Sequence, residues 1–271
     1  MRNRSDVNIE LRHVSFVRGG RAILRDVCWR VPFGRHWAVV GANGSGKTTL
    51  LEILAGYLWP TAGRVWTLGE ELGRTDLRSL RRRLGWVSSA LGGMIRPDQT
   101  AMQMTLSGAF GSTALFDRPT RAQVARARRL LRLVGCRDRA ETPYGVLSLG
   151  EQQRVLIARA LMAEPLVASK VESELLILDE ACAGLDLAAR EHVLAAVEQL
   201  AETHRHMSLL FVTHHIEEIP PACSDVLVLK CGRVLAAGPK ESILTGEVLS
   251  EAFGLPIEVH HADGRWWPRA V

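Results

Sequence analysis

The chain has 271 residues, of which 47% are hydrophobic and 23% charged, and a formal net charge of +5 at pH 7. This composition excludes a disordered chain, a collagen-like repeat and a small disulfide-rich domain. No apolar run approaches the roughly 18 residues that a membrane helix needs, and residues 1–6 lack the apolar centre of a signal peptide. We therefore expect a soluble chain, and the five cysteines, which show no C-x-x-C spacing, are expected to be reduced and buried.

Hydrophobic patterning predicts mostly strands at the start of the chain. Two antiparallel strands, over 9–16 and 27–31, flank a turn at Gly19 and Gly20. A short buried strand over 36–40 then leads into a glycine-rich loop, and a helix follows over 48–58.

From residue 76 onward the predicted elements are first helical and then alternate between strand and helix. They are a basic helix over 76–83, a mostly helical region over 97–136 with an arginine-rich amphipathic helix over 120–134, a helix from about 148 to 161, strand 175–178, helix 188–201, strands 209–213 and 226–229, and a terminal hairpin around 263–264. Strands that alternate with helices indicate an α/β fold, with a mostly parallel sheet covered on both faces. The helical middle of the chain is expected to be an insertion into that sheet.

The sharpest motif occupies residues 41–48 and matches the phosphate-loop pattern G-x-x-x-x-G-K-[ST]. Its backbone N–H groups and the N-terminus of the following helix favour bound phosphate. Lys47 is placed to reach the β- and γ-phosphates, and the Thr48 hydroxyl to bind Mg²⁺. The predicted ATP-binding residues of this loop are Gly41, Ala42, Asn43, Gly44, Ser45, Gly46, Lys47, Thr48 and Thr49.

A second motif is the apolar strand Leu175–Leu178, which ends in two carboxylates, Asp179 and Glu180. Ligands bind at the carboxyl ends of such buried parallel strands. We expect Asp179 to hold Mg²⁺ through its water shell and Glu180 to polarise an attacking water. Together the two motifs predict a nucleotide site.

Three further segments point to a family. Residues 147–155 resemble the L-S-G-G-Q signature of ATP-binding-cassette (ABC) ATPases, residues 183–186 resemble their D-loop, and residues 212–215 resemble their switch-histidine strand. With the phosphate loop and the acidic strand, five motifs stand in the family's order. The chain thus resembles ABC ATPases. By the combination of Arg18, Trp29 and residues 85–89 and 212–218, it looks most like their molybdenum-transport-like or photorepair-protein-like branch.

The resemblance implies a P-loop NTPase fold with a RecA-like sheet, an N-terminal antiparallel β-subdomain and an inserted helical subdomain. It places the ABC ATPase domain at 1–245, the helical subdomain at about 91–165 within it, and a C-terminal tail at 246–271. The implied reaction is Mg²⁺-dependent hydrolysis of ATP to ADP and phosphate. Glu180 would act as the general base, and His214 would contact the γ-phosphate and organise the water.

The resemblance also implies a head-to-tail homodimer, or a pseudo-symmetric pair, that sandwiches two ATP molecules. Ser148, Gly150 and Glu151 of one subunit would complete the site that the phosphate loop of the other begins. Asp186 of the D-loop would lie across the interface and couple the two sites.

Several positions depart from the family's usual residues. Ser89 stands where a glutamine usually relays the nucleotide state to the membrane partner. Arg18 stands where an aromatic residue usually stacks on adenine, and as a planar cation it can stack there too. Leu149 and Glu151 replace a glycine and a glutamine of the signature, and residues 166–173 resemble an insertion.

The leading role that the resemblance implies is the ATP-hydrolysing subunit of a transporter whose membrane subunits are separate chains, in the cytoplasm at the inner face of the cell membrane. Two alternatives stay open. One is a soluble ABC ATPase that acts on nucleic acid or a protein assembly, which Ser89 and the arginines of the basic helix over 76–83 slightly favour. The other is a switch that binds ATP without cleaving it. Nucleic acid is the less favoured partner because the positive charge is modest and spread along the chain.

Overall fold

The computed structural model of the chain describes residues 7–88, 95–162, 174–204 and 207–271. In this part of the chain the strands form a six-stranded sheet, a four-stranded sheet and a two-stranded hairpin. The strands β1 to β12 are Val7–Arg18, Arg21–Pro32, His36–Val40, Ala62–Thr67, Glu70–Glu71, Leu84–Ser88, Glu174–Asp179, Met207–Thr213, Asp225–Lys230, Arg233–Pro239, Ile257–Ala262 and Arg265–Ala270. The helices α1 to α8 are Lys47–Leu54, Leu77–Arg82, Ala101–Ser107, Arg121–Leu133, Leu149–Ala160, Leu187–Thr203, Lys240–Ile243 and Gly246–Phe253.

The six-stranded sheet has the order β10-β9-β3-β8-β7-β6 and carries the fold. Its five strands from β9 to β6 pair in parallel, and β10 closes one edge as an antiparallel neighbour of β9. Successive side chains of a strand point to opposite faces, so in β8 Leu209 and Phe211 pack with the helical insertion while Leu210 and Val212 pack with α1 and the other sheet. The predicted α/β fold with a mostly parallel sheet is therefore confirmed.

The four-stranded antiparallel sheet, of order β2-β1-β4-β5, is the expected N-terminal β-subdomain. Its inner face contributes Ile9, Val27 and Trp29 to the core that also contains the buried residues of α1. Trp29 and Trp37 meet edge to face at 5.5 Å and join this sheet to the central one. The turn at Gly19 and Gly20 connects β1 to β2 as predicted.

The helical insertion lies in the chain between β6 and β7 and contains α3, α4 and α5. Each of these helices begins with a capping box, whose first residues are Thr100, Thr120 and Ser148. The predicted limits of the insertion, residues 91 and 165, lie outside the described residues, as does the proposed surface insertion at 166–173. None of the helices in the described ranges combines the length and the apolar character needed to cross a membrane.

Some sequence predictions were wrong in detail. The helix expected over 48–58 ends at Leu54, because Gly56 turns the backbone into the left-handed region with φ of +70°. The strands β4 and β10 and the helix α8 were not predicted. In β10 the burial of successive residues does not alternate, so the period-two signal is weak there.

The expectation of buried thiols holds for three cysteines and is wrong for two. Cys136, Cys182 and Cys223 are buried, whereas Cys28 and Cys231 are exposed. In β2 the residues on either side of Cys28 face the core, so its own side chain points outward. Cys231 lies in the turn between β9 and β10.

The C-terminal hairpin of β11 and β12 forms as predicted and packs on the main body of the molecule. Arg265 makes a bidentate ion pair with Glu191 of α6, with N–O distances of 2.9 and 2.7 Å. Trp266 is buried in the same core as the central sheet, stacks on His261 at 4.2 Å and lies under the Lys240 ammonium at 4.9 Å. The tail therefore shares its hydrophobic core with the sheet domain.

This anchoring predicts a strong difference between two neighbouring tryptophans. Trp266→Ala is expected to lower the free energy of unfolding by about 3 kcal/mol or more, because it empties a buried site. Trp267→Ala is the matched control, since Trp267 is 43% exposed, and is expected to cost less than about 1 kcal/mol. Urea unfolding followed by circular dichroism measures both, and equal losses would contradict the packing described here.

Candidate nucleotide site

The site is arranged by the register of four neighbouring parallel strands. Val40 at the end of β3 pairs with Thr213 of β8, Asp179 of β7 pairs with Val212, and Ser88 at the end of β6 pairs with Asp179. The last residues of these strands therefore lie in a row along the carboxyl edge of the sheet. The phosphate loop, the acidic pair and the histidine strand, which are far apart in sequence, all leave the sheet from this row.

The phosphate loop joins β3 to α1, as predicted. Gly46, with φ of +105°, is the residue before the helix, and the space that a Cβ would need is taken by Leu24 at 2.7 Å. The Gly232 N–H donates to the Ser45 carbonyl at 2.9 Å, and the Arg25 N–H donates to the Gly232 carbonyl at 2.8 Å. The turn after β9 and the strand β2 therefore hold the loop in place.

Lys47 is a buried cation inside this loop. Its ammonium group donates hydrogen bonds to the carbonyls of Gly41 at 2.7 Å and Ala42 at 3.2 Å. Burial lowers the pKa of Lys47, and the nearby carboxylates of Glu180 and Asp179 partly oppose that shift. A bound phosphate would supply the negative charge that this buried ammonium lacks at short range.

Asp179 is buried at the end of β7, and only one of its two carboxylate oxygens accepts a hydrogen bond from the part of the chain that the structure describes. The Ser88 hydroxyl donates to its Oδ2 at 3.0 Å, while its Oδ1 has no hydrogen-bond partner among the described residues. Burial is the main cause that raises the pKa of Asp179 to about 6, with Glu180 adding to the rise and Ser88 opposing it. An unpartnered carboxylate oxygen fits a divalent cation, and Thr48 is among the residues that line the adjacent cleft.

Glu180 and His214, which the family resemblance placed together at the γ-phosphate, are neighbours in the structure. His214 Nδ1 lies 3.2 Å from Glu180 Oε1, although the residues are 34 positions apart. The backbone of Glu180 has φ of +51°, a conformation that residues other than glycine rarely adopt. The Glu180 N–H donates a hydrogen bond to the Val212 carbonyl at 2.9 Å. Strain of this kind persists where neighbours over-determine the backbone, and it is concentrated at functional sites.

Beside these groups lies an open cleft of about 430 Å³. Of the predicted residues, those that line it are Asn43, Gly44, Gly46, Lys47, Thr48, Thr49 and Glu180. Five lining residues were missed by the sequence analysis, namely Arg21, Ala22, Ile23, Arg25 and Cys231. Their positions carry no motif, and they reach the cleft because β2 and the β9–β10 turn pack against the loop.

Arg18 is not among the residues that line the cleft. Its guanidinium lies over the ring of Phe16, 5.8 Å from the ring centre, and its partner across the β1–β2 ladder is Arg21, which does line the cleft. A role for Arg18 at the nucleotide base therefore stays a prediction.

The signature residues cap the helix α5. The Ser148 hydroxyl accepts a hydrogen bond from the Glu151 N–H at 3.3 Å, and Glu151 Oε2 accepts one from the Ser148 N–H at 2.9 Å. Arg139 donates to the other Glu151 oxygen at 2.8 Å, and these hydrogen bonds lower the pKa of Glu151, the Ser148 backbone contributing most. The glutamate that replaces the usual glutamine thus completes a helix cap. Neither Ser148 nor Glu151 lines the cleft of its own chain.

The D-loop lies beside the signature. Asp186 caps α6 by accepting a hydrogen bond from the Ala189 N–H at 2.7 Å. A Cβ on Gly150 would lie 2.9 Å from the Ala189 Cβ, so the two helix starts approach closely only because residue 150 is glycine. Ser89, the remaining position of interest, lies outside the described residues.

A buried network behind His214 was also missed. The Thr213 hydroxyl donates to Glu218 at 2.8 Å and accepts from the His215 N–H at 3.0 Å, which fixes the loop on both sides of His214. Arg190 of α6 lies 3.9 Å from the same glutamate. A threonine next to two histidines gives no sequence signal of such a role.

The raised pKa of Asp179 makes a prediction about the nucleotide-free protein. A carboxyl whose pKa in the folded state exceeds its ordinary 3.8 costs no stability below about pH 4 and lowers stability as pH rises through about 6. Asp179→Asn removes that cost, and we expect it to raise Tm at pH 8, by the equivalent of up to about 3 kcal/mol, with little change at pH 4. Thermal unfolding at both pH values, without nucleotide or metal, measures the difference. A variant that is less stable than the wild type at pH 8 would contradict the interpretation.

Comparison with known proteins agrees with this geometry. Residues 24–183 match the family model described as ABC transporter. An uncharacterized ABC transporter ATP-binding protein, YlmA of Bacillus subtilis strain 168, is 42% identical over 93% of this chain and 92% of its own length. The cobalt import ATP-binding protein CbiO of Rhodobacter capsulatus is 35% identical over 88% of this chain and 80% of its own.

Solved structures show the same fold. The dimeric structure of MJ0796, a bacterial ABC transporter cassette, superposes with a TM-score of 0.71 at 25% identity, covering 85% of this chain and 98% of that one. The family model spans more than half of the chain, and the relatives match nearly all of it. The chain therefore belongs to the ABC transporter family of ATP-binding proteins.

Proposed function

We propose that this chain binds MgATP at the carboxyl edge of its central sheet and hydrolyses it to ADP and phosphate. One observation carries the proposal: the sheet register brings a buried lysine, a half-satisfied buried aspartate and a Glu180–His214 pair to the side of one open cleft. The first two groups match the phosphates and the cation of MgATP. The third supplies a base beside the position of the γ-phosphate.

The reaction needs few protein groups, since phosphoryl transfer is mainly positioning and electrostatic stabilisation. A water attacks the γ-phosphorus, its proton passes to the Glu180 carboxylate, and the bond from the γ-phosphorus to the bridging oxygen breaks to release ADP. His214, at 3.2 Å from Glu180, orients that carboxylate and the water. Thr48 and Asp179 would hold Mg²⁺, which neutralises charge on the phosphate oxygens.

The other predicted contacts complete the nucleotide site. The loop residues from Gly41 to Thr49 surround the phosphates with N–H donors, and Lys47 leaves its carbonyl partners for the phosphate oxygens. Arg18, which pairs across the strands with the cleft residue Arg21, would stack on the adenine base.

The active form is a homodimer in which each site is shared. Ser148 and Asp186 are exposed and are not among the residues that line their own cleft, and the leucines that follow them, Leu149 and Leu187, are 62% and 66% exposed. Large apolar side chains beside two helix starts indicate a surface that a second protein covers. The signature residues Ser148, Gly150 and Glu151 of one subunit would meet the ATP held by the other.

Transport is the role that the relatives favour, because the names of those compared above are those of ABC transporter proteins. The ATPase dimer would work with separate membrane subunits, at the cytoplasmic face of the cell membrane. Nucleic acid stays the second candidate partner, and no contact among the residues that the structure describes favours it over a membrane subunit.

Glu180→Gln tests the hydrolytic role. We expect ATP hydrolysis to fall by about 10²- to 10⁴-fold, because the base is lost while its size and hydrogen bonding are kept. Since ATP still binds, ATP-dependent dimers should accumulate in gel filtration. Phosphate release and elution volume measure the two effects.

The matched control is Glu217→Gln, since Glu217 lies 3.5 Å from His215, not His214, and outside the cleft. It should retain hydrolysis within about twofold. If the wild type already binds ATP, dimerises and releases no phosphate, the chain is a nucleotide switch. If the control loses as much activity as Glu180→Gln, the assignment of the base is wrong.

A second experiment separates the two partner classes. The tagged chain, isolated in detergent from its own cells, is expected to carry a polytopic membrane protein whose addition changes the ATPase rate. Full ATPase activity that only DNA or RNA stimulates, with a steep decline as salt rises, would support the nucleic-acid alternative instead.

A further inference from the structure

A group of potential metal ligands lies on the β-subdomain, apart from the residues of the nucleotide site. It consists of His13 on β1 and Asp26 and Cys28 on β2, all three exposed. One ligand atom of each residue lies within 4.8 Å of the other two. In the described part of the chain this is the one group of three or more His, Cys, Asp or Glu side chains that meets that condition.

The distances fit a single ion. His13 Nδ1 lies 2.9 Å from Asp26 Oδ1 and 3.7 Å from Cys28 Sγ. Tetrahedral zinc, with bonds of about 2.0 to 2.3 Å to N, O and S, separates its ligand atoms by about 3.3 to 3.8 Å. The sulfur already stands at that separation from the histidine nitrogen, while the carboxylate oxygen is closer to that nitrogen by about half an ångström. The carboxylate oxygen and the sulfur lie within 4.8 Å of each other, so small rotations of three exposed side chains bring all the ligand atoms to one ion.

The backbone presents the three ligands by means of two bulges. One extra residue in β1 and one in β2 interrupt the ladder, between the pairs Leu11–Trp29 and Val14–Val27 and then after Val14–Val27. His13 and Asp26 lie at these interruptions, with φ of +53° and +55°. Asp26 and Cys28 are two residues apart and would share a face even in a regular strand, whereas His13, two residues after the buried Leu11, would face the core. The extra residue in β1 turns His13 outward, to the side of Cys28.

Neighbouring groups hold this arrangement. The His13 N–H donates to Cys28 Sγ at 3.3 Å, and the Asp26 N–H donates to the Ser15 hydroxyl at 3.0 Å. Gly63 of β4 lies so close to the His13 carbonyl that a Cβ there would come within 2.3 Å of the oxygen. A hydrogen bond to a ligand sulfur and a fixed ligand backbone are the supports that metal sites use.

We propose that His13, Asp26 and Cys28 form a binding site for a divalent transition metal ion of the zinc class. A thiolate and an imidazole favour such an ion over Mg²⁺ or Ca²⁺, which take oxygen ligands. Three protein ligands leave a fourth position for water, and the exposure of all three gives the ion a direct path in. The Cys28 thiol gives up its proton when the ion binds.

Such an ion would join β1 to β2 where their ladder is interrupted. Asp26 directly follows Arg25, which lines the nucleotide cleft and donates to the Gly232 carbonyl. The ion therefore stabilises the strand that forms one wall of the cleft. The site itself needs no nucleotide and stands independently of the proposed ATPase activity.

Titration of the full-length, reduced, nucleotide-free protein with Co²⁺ tests the proposal. Cobalt bound to a thiolate gives a charge-transfer band in the near ultraviolet, whereas cobalt bound only by oxygen and nitrogen does not. We expect one Co²⁺ per chain with this band, and displacement of the cobalt by Zn²⁺. Cys28→Ser should abolish the band, and His13→Asn and Asp26→Asn should each weaken binding at least about tenfold.

The variants are chosen so that they fold. Asparagine tolerates the left-handed backbone at positions 13 and 26, and thermal unfolding without metal should show each variant within a few degrees of the wild type. Cys231→Ser is the matched control, because Cys231 is the other exposed thiol, and it should keep the band. The proposal is overturned if the wild type gives no thiolate band at saturating Co²⁺, if the band survives Cys28→Ser, or if Asn at positions 13 and 26 leaves the affinity unchanged.

Discussion

The hydrogen-bonded register of four parallel strands is the constraint on which the rest of this molecule depends. A buried strand must pair every backbone N–H and C=O with its neighbours, so β3, β8, β7 and β6 cannot slide without breaking a whole ladder. The pairs Val40–Thr213, Asp179–Val212 and Ser88–Asp179 fix where each strand ends. The register of the sheet therefore sets the positions of the side chains at the nucleotide site.

Two buried ionisable groups at the carboxyl edge of the sheet make fewer hydrogen bonds with the described residues than they can. A lysine and an aspartate are both buried there. Burial favours the neutral form of each, so it lowers the pKa of Lys47 and raises that of Asp179. The carbonyls around Lys47 and the single hydroxyl on Asp179 offset only part of that cost. In the proposed function, phosphate pairs with the lysine and a divalent cation with the aspartate, so ligand binding offsets the unfavourable burial of both charges.

Several parts of the fold could be predicted because their signals are local. The strand at 36–40 follows from a short apolar run, the helix after it from periodic apolar residues behind a glycine-rich loop, and the terminal hairpin from an Asp-Gly turn. The early end of α1 was missed, since a glycine after an apolar helix need not take the left-handed conformation that Gly56 adopts. The strand β10 was missed because its side chains do not alternate in burial.

The amino-acid sequence by itself determined the phosphate loop, the acidic pair and the order of the family's motifs, and hence the class of the fold. Each motif is a short run of residues, and its chemistry depends only on residue type and spacing. The tertiary structure alone decided that the Ser88 hydroxyl donates to Asp179 from 91 positions away, that Arg25 and Cys231 line the cleft, and that a bulge in β1 brings His13 to Cys28. These contacts arise from strand register and the packing of turns, which depend on the whole sheet and leave no pattern in the residues that make them.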